Sequence, residues 1–222
     1  PATATFTALE RTRLDLVSDV DAFVLGTTIA TNALIQRAGS DTIFVTTAGF
    51  EDTLYIQRVD RKGLYDLQWV KSEPYVSRDR TIGIRERILS DGSVQVPLET
   101  TEIFRILDQV SDLVEECESP AIAVSLLFSY VNDIHERSLA EELRVRFPEV
   151  PISISSEVAP TWREYERGNT TVVDSYVKPT VTRFVDSIEG GLHDEGISGW
   201  RALMRSNGGQ VPISQAGERP VE

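Results

Sequence analysis

Cysteine is nearly absent: Cys117 stands alone, so no disulfide framework forms within the chain. Histidine is scarce as well. His135 and His193 each lack a nearby cluster of ligating side chains, and no metal ligand is assigned. No apolar run approaches the ~18 residues of a membrane-spanning helix, and no charged-then-apolar leader opens the chain. A soluble cytoplasmic protein with no membrane contact is the expectation. Positive charge is outweighed: 35 acidic against 22 basic side chains give a formal charge of -13, a field that repels phosphate backbones. No nucleic-acid partner is therefore expected. Lysine is down to Lys62, Lys71 and Lys178. Trp69, Trp162 and Trp200 are scattered and read as packing residues. Cys117 sits among Glu115, Glu116 and Glu118, which raise a thiol pKa, so it is a poor nucleophile candidate.

What is present is an alternation of short apolar runs with helical stripes over 222 residues, enough chain for one large domain or two small ones. Phe6, Leu9, Leu14 and Val17 form an imperfect helical stripe over residues 3–17. Residues 22–25 read as a buried strand ending at Gly26, with Thr27 or Thr28 capping a helix over residues 29–37 and a β-branched strand over 42–47. This opening favours an α/β layer.

From residue 49 to about 97 the pattern becomes β-rich. Arg78, Arg80, Ile82, Ile84, Glu86 and Ile88 suggest one alternating strand, and Asp91-Gly92 is a hairpin turn leading to Val94 and Val96. This is read as an insertion on the α/β body. Ile103, Leu107, Val110 and Val114 then share a helical face, and residues 121–128 form a continuous apolar strand. Asp133 and Glu136 have capping-box spacing before a helix that stops at Pro148, and residues 152–155 alternate as a strand. Helix is expected over residues 160–177, and again from Pro179 towards Gly190-Gly191. A strand follows over 201–205, and residues 210–222 show no closing element.

Three segments carry chemistry. Gly26-Thr27-Thr28-Ile29-Ala30-Thr31-Asn32 is a hydroxyl-rich turn between strand and helix, suited to an anion or polar substrate, or simply a capped helix start. It is followed by no Gly-Lys-Ser/Thr and is not a Walker loop. Residues 155–167 place Glu157, Arg163, Glu164, Glu166 and Arg167 where a strand end meets a helix start. There Arg163 with Glu166 and Glu164 with Arg167 make ordinary surface ion pairs, or Glu157 with Arg163 or Arg167 faces a cleft at the carboxyl ends of the strands. Ser206-Asn207-Gly208-Gly209 follows a strand as a turn or as a polar approach to a ligand.

The order and wording of several blocks resemble one family. Gly26-Thr27-Thr28-Ile29-Ala30-Thr31-Asn32-Ala33-Leu34, Thr46-Thr47-Ala48-Gly49-Phe50-Glu51-Asp52, Leu64-Tyr65-Asp66-Leu67 and Arg85-Glu86-Arg87-Ile88 are similar to the N-terminal domain of hydantoinase A and 5-oxoprolinase proteins. Ser129-Tyr130, His135-Glu136-Arg137, Ser155-Ser156-Glu157-Val158, Arg163-Glu164-Tyr165-Glu166-Arg167 and Ser206-Asn207-Gly208-Gly209 continue the match. The resemblance runs from about Asp21 to Pro220. It implies an α/β fold of the actin-like, ribonuclease H-like ATPase superfamily with an inserted β-rich region at about 50–97. Residues 1–160 would be the hydantoinase/oxoprolinase N-terminal domain, and 161–222 the start of the hydantoinase A domain.

The family implies ATP-dependent ring opening of a cyclic amide such as a hydantoin or 5-oxoproline, with ATP and Mg2+ in the full-length enzyme and a hydantoinase B-type partner subunit or domain in an oligomer. Ketone carboxylation and a non-catalytic scaffold of the same fold are the alternatives. The site residues implied are Arg163, Glu164 and Arg167 for orienting substrate or a catalytic neighbour. Gly26, Thr27, Thr28, Asn32, Asn207, Gly208 and Gly209 would bind substrate. Two departures stand out. Leu25 occupies the place of the His that usually precedes the Gly-Thr-Thr turn, and the Asp-x-Gly-Gly-Thr phosphate loops do not occur in these residues. A partial segment that does not bind ATP tightly alone is the expectation.

Overall fold

The computed structural model describes residues 5–7, 20–58, 63, 65–206, 208–218 and 220–221. Of the helix expected over residues 3–17, only residues 5–7 fall among these, and they are helical. The chain forms two compact units, one of Pro1–Gly39 with Val177–Glu222 and one of Ser40–Tyr176. In chain order the elements begin with β1 (Ala22–Gly26), α1 (Ile29–Gln36), β2 (Asp41–Thr47), α2 (Thr53–Ile56), β3 (Thr81–Ile84), β4 (Arg87–Ile88) and β5 (Val94–Val96). They continue with α3 (Thr100–Glu115), β6 (Pro120–Ser125), α4 (Ile134–Arg146), β7 (Ile152–Ile154) and α5 (Ser155–Val158). The long α6 (Glu164–Asp194) is followed by β8 (Trp200–Met204) and β9 (Gln210–Pro212).

The continuous unit is built on a four-stranded parallel sheet in the order β3-β2-β6-β7. Its central strands are covered on both faces, which is why β2 and β6 are buried almost throughout rather than at alternate residues. Ile43, Val45, Ile122 and Val124 face one side, against Ile103, Ile106, Leu107 and Val110 of α3 and Leu139, Ala140 and Leu143 of α4. The spacing of the α3 quartet is that of one helical stripe, and each buried aliphatic side chain contributes roughly 1.5–3 kcal/mol. Phe44 and Ala123 face the other side, against Leu54 of α2 and Val172 of α6.

The β-rich stretch over 50–97 divides. β3 joins the edge of the main sheet, while β4 and β5 form a separate antiparallel hairpin. The strand expected from Arg78 to Ile88 is interrupted because Arg78–Arg80 is a 3-10 turn and because Glu86 turns inward, 3% exposed. Asp91 closes the hairpin by accepting the Ser93 N–H at 2.9 Å, and Gly92, at φ 83, takes the left-handed last position of a three-residue loop between Leu89 and Ser93.

Helix α6 corrects a second expectation, since it runs unbroken through Pro179. Proline removes the N–H that would bond the carbonyl four residues earlier, that of Ser175. The Ser40 hydroxyl takes that place, donating to the Ser175 carbonyl at 3.1 Å, while the Ser40 N–H donates to the Tyr176 carbonyl at 2.8 Å. The orphaned acceptor is satisfied, and the helix continues.

The other unit holds a three-stranded sheet in the order β1-β8-β9, with β1 parallel to β8 and β9 antiparallel to it. β9 has no counterpart in the sequence reading: three residues ending in proline carry no period. Phe184, Val185, Ile188 and Leu192 form the buried stripe expected of the later part of α6.

Candidate functional site

The carboxyl ends of β2, β6 and β7 lead into Gly49, into a turn over residues 126–130, and through α5 into residues 159–163. Around these ends opens a cleft of about 810 Å³. Its walls include Phe50, Phe128, Tyr130, Trp162 and Tyr165, with Arg58, Arg163, Asp52, Glu164 and Glu166 as the charged groups. A crevice at the carboxyl ends of parallel strands is where sheets of this kind bind ligands.

The backbone around the cleft is unusual. Gln57 (φ 56), Phe128 (φ 54) and Arg163 (φ 81) adopt left-handed conformations without being glycine, and all three line it. Among the described residues only Arg37 shares that property elsewhere. Such positions cost on the order of 1–3 kcal/mol each and gather at ligand sites, where surrounding structure holds them in place. Gly49, at φ 90, supplies a fourth such position at no steric cost.

Arg163 and Glu164 both line the cleft, and the Arg163 guanidinium lies over the Trp162 ring at 4.5 Å. The ion pairs expected within the helix are replaced. Glu166 pairs across the cleft with Arg58; burial acts to raise its carboxyl, but hydrogen bonds from its own backbone and from Arg58 hold it below the usual range. Glu157 faces Arg137 and Arg144 of α4 at 3.9 and 3.6 Å rather than Arg163 or Arg167.

Arg167 sits beneath the cleft, 1% exposed, with burial pushing its guanidinium down from the ordinary arginine range. It donates to the main-chain carbonyls of Leu126 and Thr161, each at 3.0 Å, and lies 5.2 Å from the centre of the Tyr130 ring.

Behind the 126–130 turn lies a buried polar layer. The Glu136 carboxylate accepts from the Leu126 N–H at 2.8 Å, the Ser155 hydroxyl at 2.6 Å and the Ser156 N–H at 2.8 Å. Glu136 is therefore a strut between β6 and β7 and not the partner of a capping box, and Asp133 makes no side-chain cap. Glu86 accepts from the Thr47 hydroxyl and, at 2.7 Å, from Nδ1 of His135, whose Nε2 accepts the Leu98 N–H at 3.3 Å. Thr47 Oγ1 in turn accepts the Leu127 N–H at 2.9 Å. Nothing in local spacing signals these partners, because each comes from a different element.

Gly26, Thr27, Thr28 and Asn32 are exposed in the other unit. Thr27 Oγ1 accepts the Ile29 N–H and Thr28 Oγ1 accepts from the Asn32 amide, both at 3.3 Å. Gly26 is in register with Met204 at the end of β8, so the turn carrying Gly208 and Gly209 lies at the same end of that sheet. Asn207 falls outside the described residues. Burial is the largest influence on Cys117 and pushes its thiol up. No helix among the described residues is long and apolar enough to cross a membrane.

Parallel sheets covered by helices, with a cleft at the strand ends, place the chain among α/β proteins of the actin-like ATPase type, with an inserted β-rich region. Solved structures agree: the ATP-dependent caprolactamase of Pseudomonas jessenii superposes with a TM-score of 0.83 at 30% identity, over 96% of this chain and 31% of that one. Residues 2–147 match the hydantoinase/oxoprolinase N-terminal region and residues 167–222 match hydantoinase/oxoprolinase. The chain belongs to the hydantoinase/oxoprolinase family. It is 33% identical to the caprolactamase alpha subunit of P. jessenii over 96% of this chain and 30% of that subunit. With the acetophenone carboxylase gamma subunit of Aromatoleum aromaticum it shares 32% identity over 90% of this chain and 28% of that subunit. It thus spans about a third of the length of these relatives.

Proposed function

We propose that the complete polypeptide is a subunit of an ATP-dependent hydrolase that opens a cyclic amide, and that the cleft over the β2, β6 and β7 ends forms its substrate-side wall. The observation that carries this reading is the convergence of three left-handed non-glycine residues on one cleft, in a chain similar along 96% of its length to an ATP-dependent caprolactamase. Five aromatic side chains give the cleft an apolar body for a small ring, and Arg163, Glu164 and Gln57 offer donors and acceptors to an amide. Arg163, Glu164 and Arg167 orient the substrate or a catalytic neighbour. Gly26, Thr27, Thr28, Asn32, Asn207, Gly208 and Gly209 contribute further substrate contacts. The division into an N-terminal domain over 1–160 and the start of a hydantoinase A domain over 161–222 belongs to the same reading.

ATP, with Mg2+, would supply the phosphoryl group that activates the amide oxygen. The cleft does not fit that role: Asp52, Glu164 and Glu166 outnumber Arg58 and Arg163, a balance unsuited to a triphosphate. Among the described residues no group of three or more His, Cys, Asp or Glu is placed to hold a metal ion. The nucleotide is therefore assigned to the complete polypeptide rather than to this cleft. A hydantoinase B-type partner subunit, an oligomeric assembly and a cytoplasmic location complete the proposal. Similarity to an acetophenone carboxylase subunit supports a second reading, in which a ketone is carboxylated.

ATP turnover by the complete polypeptide, with and without its partner subunit, separates the two. Stimulation by hydantoin, 5-oxoproline or caprolactam is the expected result. Stimulation only by ketones with bicarbonate would replace it with the second reading, and stimulation by neither would overturn both.

A further inference from the structure

Arg167 makes an odd structural residue. Its guanidinium is buried, yet among the described residues no carboxylate lies within ion-pair distance, and its Nε has no hydrogen-bond partner. A buried charge with no carboxylate partner is costly to desolvate, so the fold alone gives little reason to keep it. What the guanidinium does instead is join two segments. Nη2 donates to Leu126 and Nη1 to Thr161, at 3.0 Å each, while the Arg167 N–H donates to the Arg163 carbonyl at 3.1 Å. Each segment carries one of the left-handed residues of the cleft, Phe128 two positions after Leu126 and Arg163 two after Thr161. The first segment is held from the opposite side as well, by Glu136 on the Leu126 N–H and by Thr47 on the Leu127 N–H.

We propose that Arg167 is a positioning residue: its buried guanidinium ties the 126–130 turn to the 161–163 segment and so holds Phe128, Tyr130 and Arg163 at the cleft wall without itself touching the ligand. This sharpens the proposed function, on which its kinetic arm rests, and removes Arg167 from the residues that meet substrate. Loss of the tie releases both segments together, because one side chain serves both carbonyls. Lysine, with a single terminal nitrogen on a flexible stem, reaches one carbonyl at a time and restores the tie only in part.

The test uses Arg167→Met and Arg167→Lys in the complete polypeptide. Hydrogen exchange should accelerate by roughly tenfold or more in residues 126–131 and 160–165 together, with β2 and α4 unchanged, and the methionine variant should melt below the wild type because the Leu126 and Thr161 carbonyls lose their donor. In cyclic-amide-stimulated ATP turnover, KM for the amide should rise about fivefold or more with kcat within about twofold, and lysine should recover part of the loss. Exchange that accelerates in only one segment, or uniformly across the unit, overturns the proposal. So does failure of both variants to fold, which would make Arg167 a core residue. If no cyclic amide stimulates the wild type, the proposed function falls and hydrogen exchange alone decides the role of Arg167.

Discussion

The hydroxyl of Ser40 donates to the carbonyl of Ser175, the acceptor that Pro179 deprives of its helical partner. Both serines are buried, so the bond cannot be exchanged for water without rearrangement. Ser40→Ala should therefore cost about 1–2 kcal/mol, the usual penalty for leaving a buried acceptor unpaired. Restoring the main-chain donor with Pro179→Ala in the same chain should remove most of that loss. Chemical denaturation of the two single variants and the double variant measures the coupling.

Arg163 offers a contrast between fold and site. Its backbone, at φ 81, is one that glycine adopts freely, so Arg163→Gly should leave stability within about 0.5 kcal/mol of the wild type: relief of strain offsets the greater freedom of the unfolded chain. In the helical interior of α4, Glu141→Gly should cost about 1 kcal/mol. Arg163→Gly also removes the guanidinium stacked on Trp162, and should raise KM for the cleft ligand. Melting curves and saturation kinetics on the same samples report the two effects separately.

Asp41 gives the fold a defined acid sensitivity. Arg80 donates to its carboxylate at 2.6 Å, and the N–H groups of Glu118 and Ser119 donate at 3.1 and 3.2 Å. The Arg80 bond is the main reason its carboxyl lies below the usual range, against an opposing contribution from burial. A depressed folded pKa means a contribution fully present above the unfolded value of about 3.9 and lost as pH falls through the folded one. The stability gap between wild type and Asp41→Asn should be about 1 kcal/mol at neutral pH and should begin to narrow as pH falls below about 4. Denaturation of both proteins from pH 7 down to about pH 3, below the ~3.9 reference value, reads the onset of that narrowing.

Two glycines should respond oppositely to alanine. At Gly168, inside α6, a methyl group would meet Phe44 at 3.5 Å, Ser125 at 3.7 Å and Leu54 at 3.8 Å, ordinary contacts, so Gly168→Ala should stabilise by about 0.5–1 kcal/mol. At Gly83 in β3 the methyl would run into the Glu51 carboxylate and stand 3.1 Å from the Cα of Ala48. That carboxylate already holds the Gly49 N–H, at the cleft edge. Gly83→Ala should destabilise by about 1–3 kcal/mol, and comparison of midpoints of unfolding will rank the pair.

What the sequence reveals of the fold follows periodicity. The stripe of α3, the β-branched run of β2 and the continuous apolar run of β6 are local patterns fixed by which faces are covered, and they mark the elements directly. Glu136 shows where that reasoning fails. Its spacing from Asp133 suits a cap, but its partners, Leu126, Ser155 and Ser156, arrive from two other segments once the sheet has formed. The unbroken α6 is hidden for the same reason, since its rescue depends on Ser40. Around the cleft, Arg163 and Glu164 stand out as charge at a strand-to-helix corner. Phe50, Phe128 and Tyr130 read as ordinary apolar residues, because only the topology of a parallel sheet gathers strand ends that lie far apart in the chain.

The pairing of β1 with β8 joins Ala22 to Trp200, almost opposite ends of the chain, whereas the four-stranded sheet is complete by residue 154. Pairing strands this far apart in the chain closes a long loop, whereas every strand of the four-stranded sheet lies within residues 41–154, so the β1-β8-β9 sheet is the slower of the two to form.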